Sequence, residues 1–282
     1  TALIYLDDIN NIENNNNLNN FDALMIFINM FEKILEKTQN HILVAFDTQG
    51  KTKKKEIYLD YKKGRPLIPQ LLIDQIVLVQ EYLKISGVKY HYQTGYEADD
   101  IIGTIAQQAS SQQIITDIYS SDHDFLQLIN DYVTIRLIRK GLTNVSDFDT
   151  KLLQKEYQLK PEQIVDFKSM IGDNSDNIIG IPGIGPKTAL KLLHKFNNLD
   201  NLLINLKQIP DNLRNKIEPF KDRINLNRSL ITIDKTVPLS FDYTQTYKEN
   251  INLNLLLNFC NKYNLNRLYN KKIKTNYNFS KL

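Results

Sequence analysis

The chain has 282 residues, 42% hydrophobic and 24% charged, with a formal net charge of +3. That length and apolar content can bury a full core, which excludes a disordered chain, and no run of about 18 apolar residues or apolar leader core points to a membrane or to secretion. The single cysteine, Cys260, excludes an internal disulfide, so the expected compartment is a reducing one, the cytoplasm.

In chain order the first clear element is "FDALMIFINMFEKILEK" (21–37), whose apolar spacing predicts a helix. The Asn-rich stretch 10–20 before it reads as a loop. "HILVAFD" (41–47) follows as a β-branched strand that finishes on an acid. Then comes "TQGKTKKKEIYLDYKKGR" (48–65), with Lys51, Lys53, Lys54, Lys55, Lys62, Lys63 and Arg65 against Glu56 and Asp60. A lone lysine run is most often a solvated loop; on an otherwise weakly acidic chain it also suits a segment that tracks phosphates. Helical patterns occupy 69–86 and 97–110, with the strand "IITDIYSSD" at 114–122 and a weaker one at 133–138. Alternating strands and helices predict a mostly parallel sheet flanked by helices, whose ligands bind beyond the carboxyl ends of the strands. From about 160 the pattern is helical, with no convincing strand before "TVPLSF". The expected division is an α/β core over 1–160 and a helical lobe over 161–282.

Acids gather where this scheme places a ligand site. Asp47 closes the first strand. "GYEADD" puts Glu97, Asp99 and Asp100 at a helix start, where capping would explain any one of them, but three in four residues exceed what a cap needs. Glu97 and Asp100 would repel unless a cation sat between them. "SSDHD" sets Asp122 and Asp124 on one face of a strand end, and "GDNSD" adds Asp173 and Asp176 at helical spacing. Such an all-oxygen basin selects Mg²⁺ or Mn²⁺, and two such ions suit phosphodiester hydrolysis. His41, His91, His123 and His194 are scattered without metal-ligand spacing, which argues against zinc.

"GIPGIGPKTALKLL" (180–193) follows at once. Its glycines let the backbone approach a phosphate, and Pro186 opens a helix whose positive end points the same way. It lacks the Walker A ending and has no preceding strand, so a helix–hairpin–helix over 161–196 fits better; a simple tight turn between helices is the plainer alternative. Gly183, Gly185, Lys187, Thr188 and Lys191 are the candidate contacts to a nucleic-acid backbone, gripped without reading bases.

The order "FD", "YKKGR", "GYEADD", "SSDHD", "GDNSDN" and "GIPGIGPKTA" resembles the bacterial 5′–3′ exonuclease/flap endonuclease family, over about residues 21–260. That family includes the nuclease domain of DNA polymerase I and standalone mycoplasma-type enzymes. The resemblance implies a PIN-like α/β core with a helix-three-turn-helix lobe. It implies two-metal cleavage of 5′ flaps, nicks and RNA primers in replication and repair. It assigns metal binding to the eight acids named above. It makes 48–90 an arch or clamp over the single strand, with Tyr61, Lys62, Arg65 and Lys54 near the scissile phosphate. Lys51, Lys53, Lys55 and Lys63 are further DNA contacts. It also places a potassium ion on backbone carbonyls around Ile181 and Ile184. With no polymerase domain in the chain, a separate polymerase and ligase are expected to complete primer removal, and the protein is expected to be a monomer with no membrane partner.

Three departures stand out. Lys54 falls where the family usually has Arg, which keeps the charge and loses the bidentate fork. His123 replaces the lysine of a "DKD". The family also opens on a strand ending in a metal-binding Asp, followed by a Tyr-Arg pair. "ALIYLDD" offers such a strand, with Asp7 or Asp8 as the ligand. However, Leu3, Leu6, Ile9 and Ile12 recur every three residues, which is closer to a helix, and no Tyr-Arg pair follows. The expectation is therefore that the first strand is absent, which raises the alternative of a non-catalytic module that grips flap or nicked duplex. An RNA-specific PIN-type nuclease ranks lower, because it does not require the 180–193 hairpin.

Overall fold

The computed structural model describes residues 2–5, 21–37, 40–48, 50–140, 144–265 and 268–270, with 2–5, 140 and 144 as backbone only. In chain order the elements of the first half are β1 (Ala2–Tyr5), α1 (Asp22–Leu35), β2 (Ile42–Ala45), α2 (Lys53–Ile57), α3 (Gln70–Ile85), β3 (Lys89–His91), α4 (Ala98–Ser111), β4 (Thr116–Ser120), β5 (Val133–Lys140), β6 (Asn144–Phe148) and α5 (Thr150–Tyr157). The second half holds α6 (Ile164–Ile171), β7 (Gly172–Asp173), β8 (Ile178–Ile179), α7 (Pro186–Phe196), α8 (Leu199–Ile204), α9 (Asp211–Ile217), α10 (Lys221–Ile231) and α11 (Leu253–Lys262).

Six strands form one sheet in the order β3-β2-β1-β4-β5-β6, parallel except for the antiparallel edge strand β6. The expectation of a missing first strand is thereby overturned. Residues 2–5 pair in parallel with β2 (Ala2 opposite Ile42) and with β4 (Ala2 opposite Asp117), which makes β1 a central strand. The three-residue repeat misled because a four-residue strand is too short to show its own period, and the segment 6–12 that carried most of the repeat lies outside the described residues, as do Asp7, Asp8 and the Asn-rich loop. The polar strands β3 and β6 also escaped the sequence reading. "TVPLSF" is not a strand: the Leu239 N–H turns back to the Val237 carbonyl at 2.8 Å.

β2 shows why the sheet is covered on both faces. All of "ILVA" is buried, as expected of a parallel strand between two helical layers. Ile42, Val44 and Phe46 face α1, α3 and α11, where Phe27, Phe31, Val79, Tyr82 and Phe259 pack. Leu43 and Ala45 face the other way, into a core shared by α4 (Ile101, Ile102, Ile105) and the helical half (Ile164, Met170, Leu193, Ile217). One apolar core therefore runs unbroken from the sheet into the helices that follow residue 160.

The segment 48–90 divides in two. Residues 53–64 form a short helix and turns, whereas α3 is a core helix that buries Leu72, Val79, Tyr82 and Leu83. Among the described residues no helix is long and apolar enough to cross a membrane.

Candidate active site

β1, β2 and β4 all end at one edge of the sheet, and the acids collect there. Asp47 lies two residues past β2, where its Oδ1 accepts the Ala98 N–H at 2.8 Å and so helps to start α4. At that helix start Asp100 Oδ2 accepts the Glu97 N–H at 3.2 Å. Glu97, the N-cap residue, and Asp100 thus form a capping box, and Asp99 Oδ1 accepts the Asp100 N–H at 2.8 Å, but capping does not explain why all three acids gather on one buried ammonium.

The acids form two groups, each built around an ammonium. In the first, the buried Lys54 Nζ lies 3.2 Å from Glu97 Oε2, 3.3 Å from Asp99 Oδ2 and 3.8 Å from Asp100 Oδ1. Lys62 adds a contact to Glu97 Oε1 at 2.6 Å. Burial pushes Glu97 up, but Lys62 and Lys54 overcome it and hold its carboxyl down at about 2. Asp99 and Asp100 go the other way: burial and the neighbouring carboxylates raise both, against the pull of Lys54. Two ammonium groups do not neutralise three carboxylates.

In the second group Lys168 bridges Asp124 and Asp173, the latter at 2.6 Å. Burial raises Asp124 to about 6 despite Lys168, whereas Asp173, less buried, is held at about 2 by the same lysine. Asp122 Oδ1 accepts the Asp124 N–H at 2.7 Å. Burial lowers the His123 imidazole below its usual value, which disfavours its charged form. A cleft of about 260 Å³ opens here between Asp122, Asp124, Asp173, Asp176 and Arg65.

Asp176 and Tyr61 join the two groups. The Tyr61 hydroxyl is shared between Glu97 Oε2 and Asp176 Oδ2, both at 3.0 Å, and Arg65 Nη2 reaches Asp176 Oδ1 at 2.6 Å. The 58–65 turn is stitched onto the acid hairpin through its backbone: Lys62 N–H donates to the Asp176 carbonyl at 2.9 Å, and Asn177 Nδ2 donates to the Asp60 carbonyl at 2.7 Å. Lys62 holds φ +55 to do so, a strained value for a residue with a side chain. Among the described residues no three acidic or imidazole side chains converge as a ready-made metal cage. The lysines stand between them instead.

The remaining sequence-predicted contacts fall at two places. Lys53 lies over the Tyr96 ring, Lys55 Nζ donates to the Tyr61 carbonyl at 2.6 Å, Lys63 pairs with Asp60 at 2.9 Å, and Lys51 is exposed. In the hairpin Gly183 has φ +74, and the exposed Lys187 and Lys191 lie one turn apart on α7, with Thr188 half-buried between them. The side chains of Ile181 and Ile184 are buried, and the Ile184 N–H closes a turn onto the Ile181 carbonyl at 3.0 Å. Two lysines were missed in the sequence. Lys168 reads there as an ordinary helix charge, although its place one turn before "GD" was an available hint. Lys216, on α9, sets its Nζ 3.4 Å from the Gly183 carbonyl, and nothing in its spacing announced that.

An acid-lined sheet edge roofed by a basic turn, with a helix–hairpin–helix beside it, defines a 5′ nuclease class of fold. The chain belongs to the 5′–3′ exonuclease family: residues 5–158 match its N-terminal resolvase-like domain and 159–254 its C-terminal SAM fold. DNA polymerase I of Bacillus caldotenax is 38% identical over 225 residues, which is 78% of this chain and 26% of that protein. The chain thus spans about a quarter of the polymerase relatives. The 5′-3′ exonuclease of Mycoplasma pneumoniae is 31% identical over 252 residues, 89% of this chain and 87% of that one. Among solved structures, a bacteriophage T5 flap endonuclease complex with DNA and metal ions superimposes with a TM-score of 0.69 at 18% identity, covering 83% of this chain and 89% of that one. The catalytic core of Rad2 with DNA substrate gives 0.60 at 17% identity, covering 93% and 86%. Both share the α/β core and helical lobe that the sequence led us to expect.

Proposed function

We propose that the chain hydrolyses phosphodiester bonds at 5′ flaps, nicks and primers in duplex DNA. The observation that carries this reading is the basin itself: burial and mutual repulsion raise Asp99, Asp100 and Asp124 even though Lys54 and Lys168 are already in place. A donor set of carboxylate oxygens left short of positive charge fits hard divalent ions. Two Mg²⁺ or Mn²⁺ ions, one held by Asp47, Glu97, Asp99 and Asp100 and the other by Asp122, Asp124, Asp173 and Asp176, would supply an activated water and stabilise the leaving oxygen. Tyr61, Lys62 and Arg65, fixed on the acid hairpin, face a scissile phosphate from above. Lys54 and Lys168 partly neutralise the carboxylates that would hold the ions.

The hairpin 180–193 grips the duplex backbone, and a potassium ion at the Ile181–Ile184 turn would serve that grip. The non-catalytic alternative drew on a missing first strand and its metal-ligand Asp; β1 is in place, and Asp7 and Asp8 lie outside the described residues. In replication and repair a separate polymerase and ligase would complete the work.

The test is cleavage of a 5′-labelled flap duplex in Mg²⁺ with an EDTA control and a parallel binding titration. We expect metal-dependent cutting at the flap junction, abolished by Asp176→Ala or Asp122→Ala with flap binding kept within several-fold. Tight binding with no cutting by the unaltered chain would return the non-catalytic reading.

A further inference from the structure

The segment that follows α10 fastens onto both acid groups from behind. The Gln127 side chain, on the 3₁₀ turn that carries Asp124, donates to the Asp124 carbonyl at 2.9 Å and to the Ile231 carbonyl at 3.0 Å. Its Oε1 accepts the Ile233 N–H at 3.0 Å. One residue on, the Asp234 N–H donates to Asp100 Oδ1 at 2.8 Å. Asp124 and Asp100 belong to different acid groups, so four residues of chain reach one group directly and the other through Gln127.

Two further observations show that this strap is tightly seated. A Cβ on Gly103, inside α4, would lie 2.5 Å from Ile233 Cγ2, so only glycine admits the strap against that helix. Upstream on α10 the fully buried Asn227 donates to the Ser169 carbonyl at 2.9 Å and the Ile179 carbonyl at 2.8 Å. Those carbonyls flank the hairpin that bears Asp173 and Asp176.

We infer that the strap from Asn227 to Asp234 sets the spacing between the two acid groups, and that Gln127 is the positioning residue through which it holds Asp124. Lys54 and Lys168 each draw in the carboxylates of their own group and neither spans the two, so the spacing between the groups is left to contacts such as these. A primary amide is the side chain that offers two donors and an acceptor without charge, and here each is matched to a backbone group. The consequence for catalysis rests on the nuclease reading above; the consequence for metal binding does not.

The experiment compares the full chain with Gln127→Glu, which keeps the acceptor and loses both donors, and with Gln127→Met, which keeps the shape alone. Mn²⁺ binding is read by electron paramagnetic resonance of the free ion, flap binding by fluorescence anisotropy in EDTA, and cleavage by single-turnover kinetics in Mg²⁺. Residues that orient metal ligands typically alter affinity or activity about 10- to 100-fold. We expect Mn²⁺ affinity to fall about 10-fold in Gln127→Met, which loses all three bonds, and less in Gln127→Glu, which keeps one and adds a charge that itself attracts the ion, the single-turnover rate to fall with it, and flap affinity to stay within about twofold. If only Gln127→Met folds, its Mn²⁺ affinity decides. Unchanged Mn²⁺ affinity, or flap binding lost in step with it, overturns the inference. Wild-type chain that binds Mn²⁺ but does not cut overturns the nuclease reading alone, because the Mn²⁺ comparison still judges the strap.

Discussion

Asp124 is buried beside a lysine, and its carboxyl still sits at about 6, because burial outweighs Lys168 and Asp122 adds repulsion. The folded chain therefore holds that proton more tightly than an unfolded one, whose value is near 3.8. With the folded value raised, stability is lost as pH rises from about 4 through about 6. Asp124→Asn removes this cost. Without metal it should exceed the wild type in stability by about 1–3 kcal/mol at pH 7, the gap closing below pH 4. Urea unfolding at both pH values checks this, and an equal gap at both contradicts it. Lys168→Met works in the opposite sense, since it leaves Asp124 and Asp173 facing each other without a cation. It should cost about 3 kcal/mol in EDTA, and Mg²⁺ should raise its melting temperature more than it raises that of the wild type. The acids were legible in the sequence because clusters at strand ends and helix starts have a chemical meaning wherever they occur. Lys168 and Gln127 were not, since their partners lie on other turns and other elements and only the packing brings them together.

At the scale of elements, α1, α3, α4 and α7 could be read from apolar spacing to within a residue or two, because a long amphipathic face repeats its signal. β1, β3 and β6 are three to five residues long and carry no such repetition; pairing with neighbours defines them. The hairpin shows how a motif can be right in outline while its glycines differ in purpose. Sequence reading treated Gly180, Gly183 and Gly185 as one phosphate loop. In the structure a Cβ on Gly180 would lie 2.2 Å from the Ile171 carbonyl carbon, a backbone clash with no room to give. At Gly183 it would meet only the flexible end of Lys216, at a φ of +74. Gly185 has open space around it, as close approach to a ligand requires. Gly180→Ala should therefore cost about 3 kcal/mol or more by forcing the neck of the acid hairpin apart, and Gly183→Ala about 1 kcal/mol for the left-handed backbone alone. Thermal or urea melting of the two variants orders them, and equal losses would place the constraint somewhere other than the neck.

For the whole molecule the question raised by the proposed function is which cations would meet DNA. The sequence offers seven in the 48–65 segment, yet much of that charge is turned inward: Lys54 and Lys62 serve Glu97 and its neighbours, Arg65 reaches Asp176, and Lys63 pairs with Asp60. Lys187 and Lys191 are exposed on one face of α7 beside the open Gly185, with Lys216 reaching the same loop. Each phosphate neutralised by a side chain adds about 0.9 to the slope of log affinity against log salt. Replacing Lys187 and Lys191 together with alanine should lower that slope for a flap duplex by up to about two and weaken binding alike for every sequence tested. Lys63→Ala, whose charge is already answered by Asp60, should move it by less than about 0.5. If the order reversed, with the slope following Lys63 and not the α7 pair, the duplex would lie against the basic turn and the hairpin would be a structural corner of the helical half.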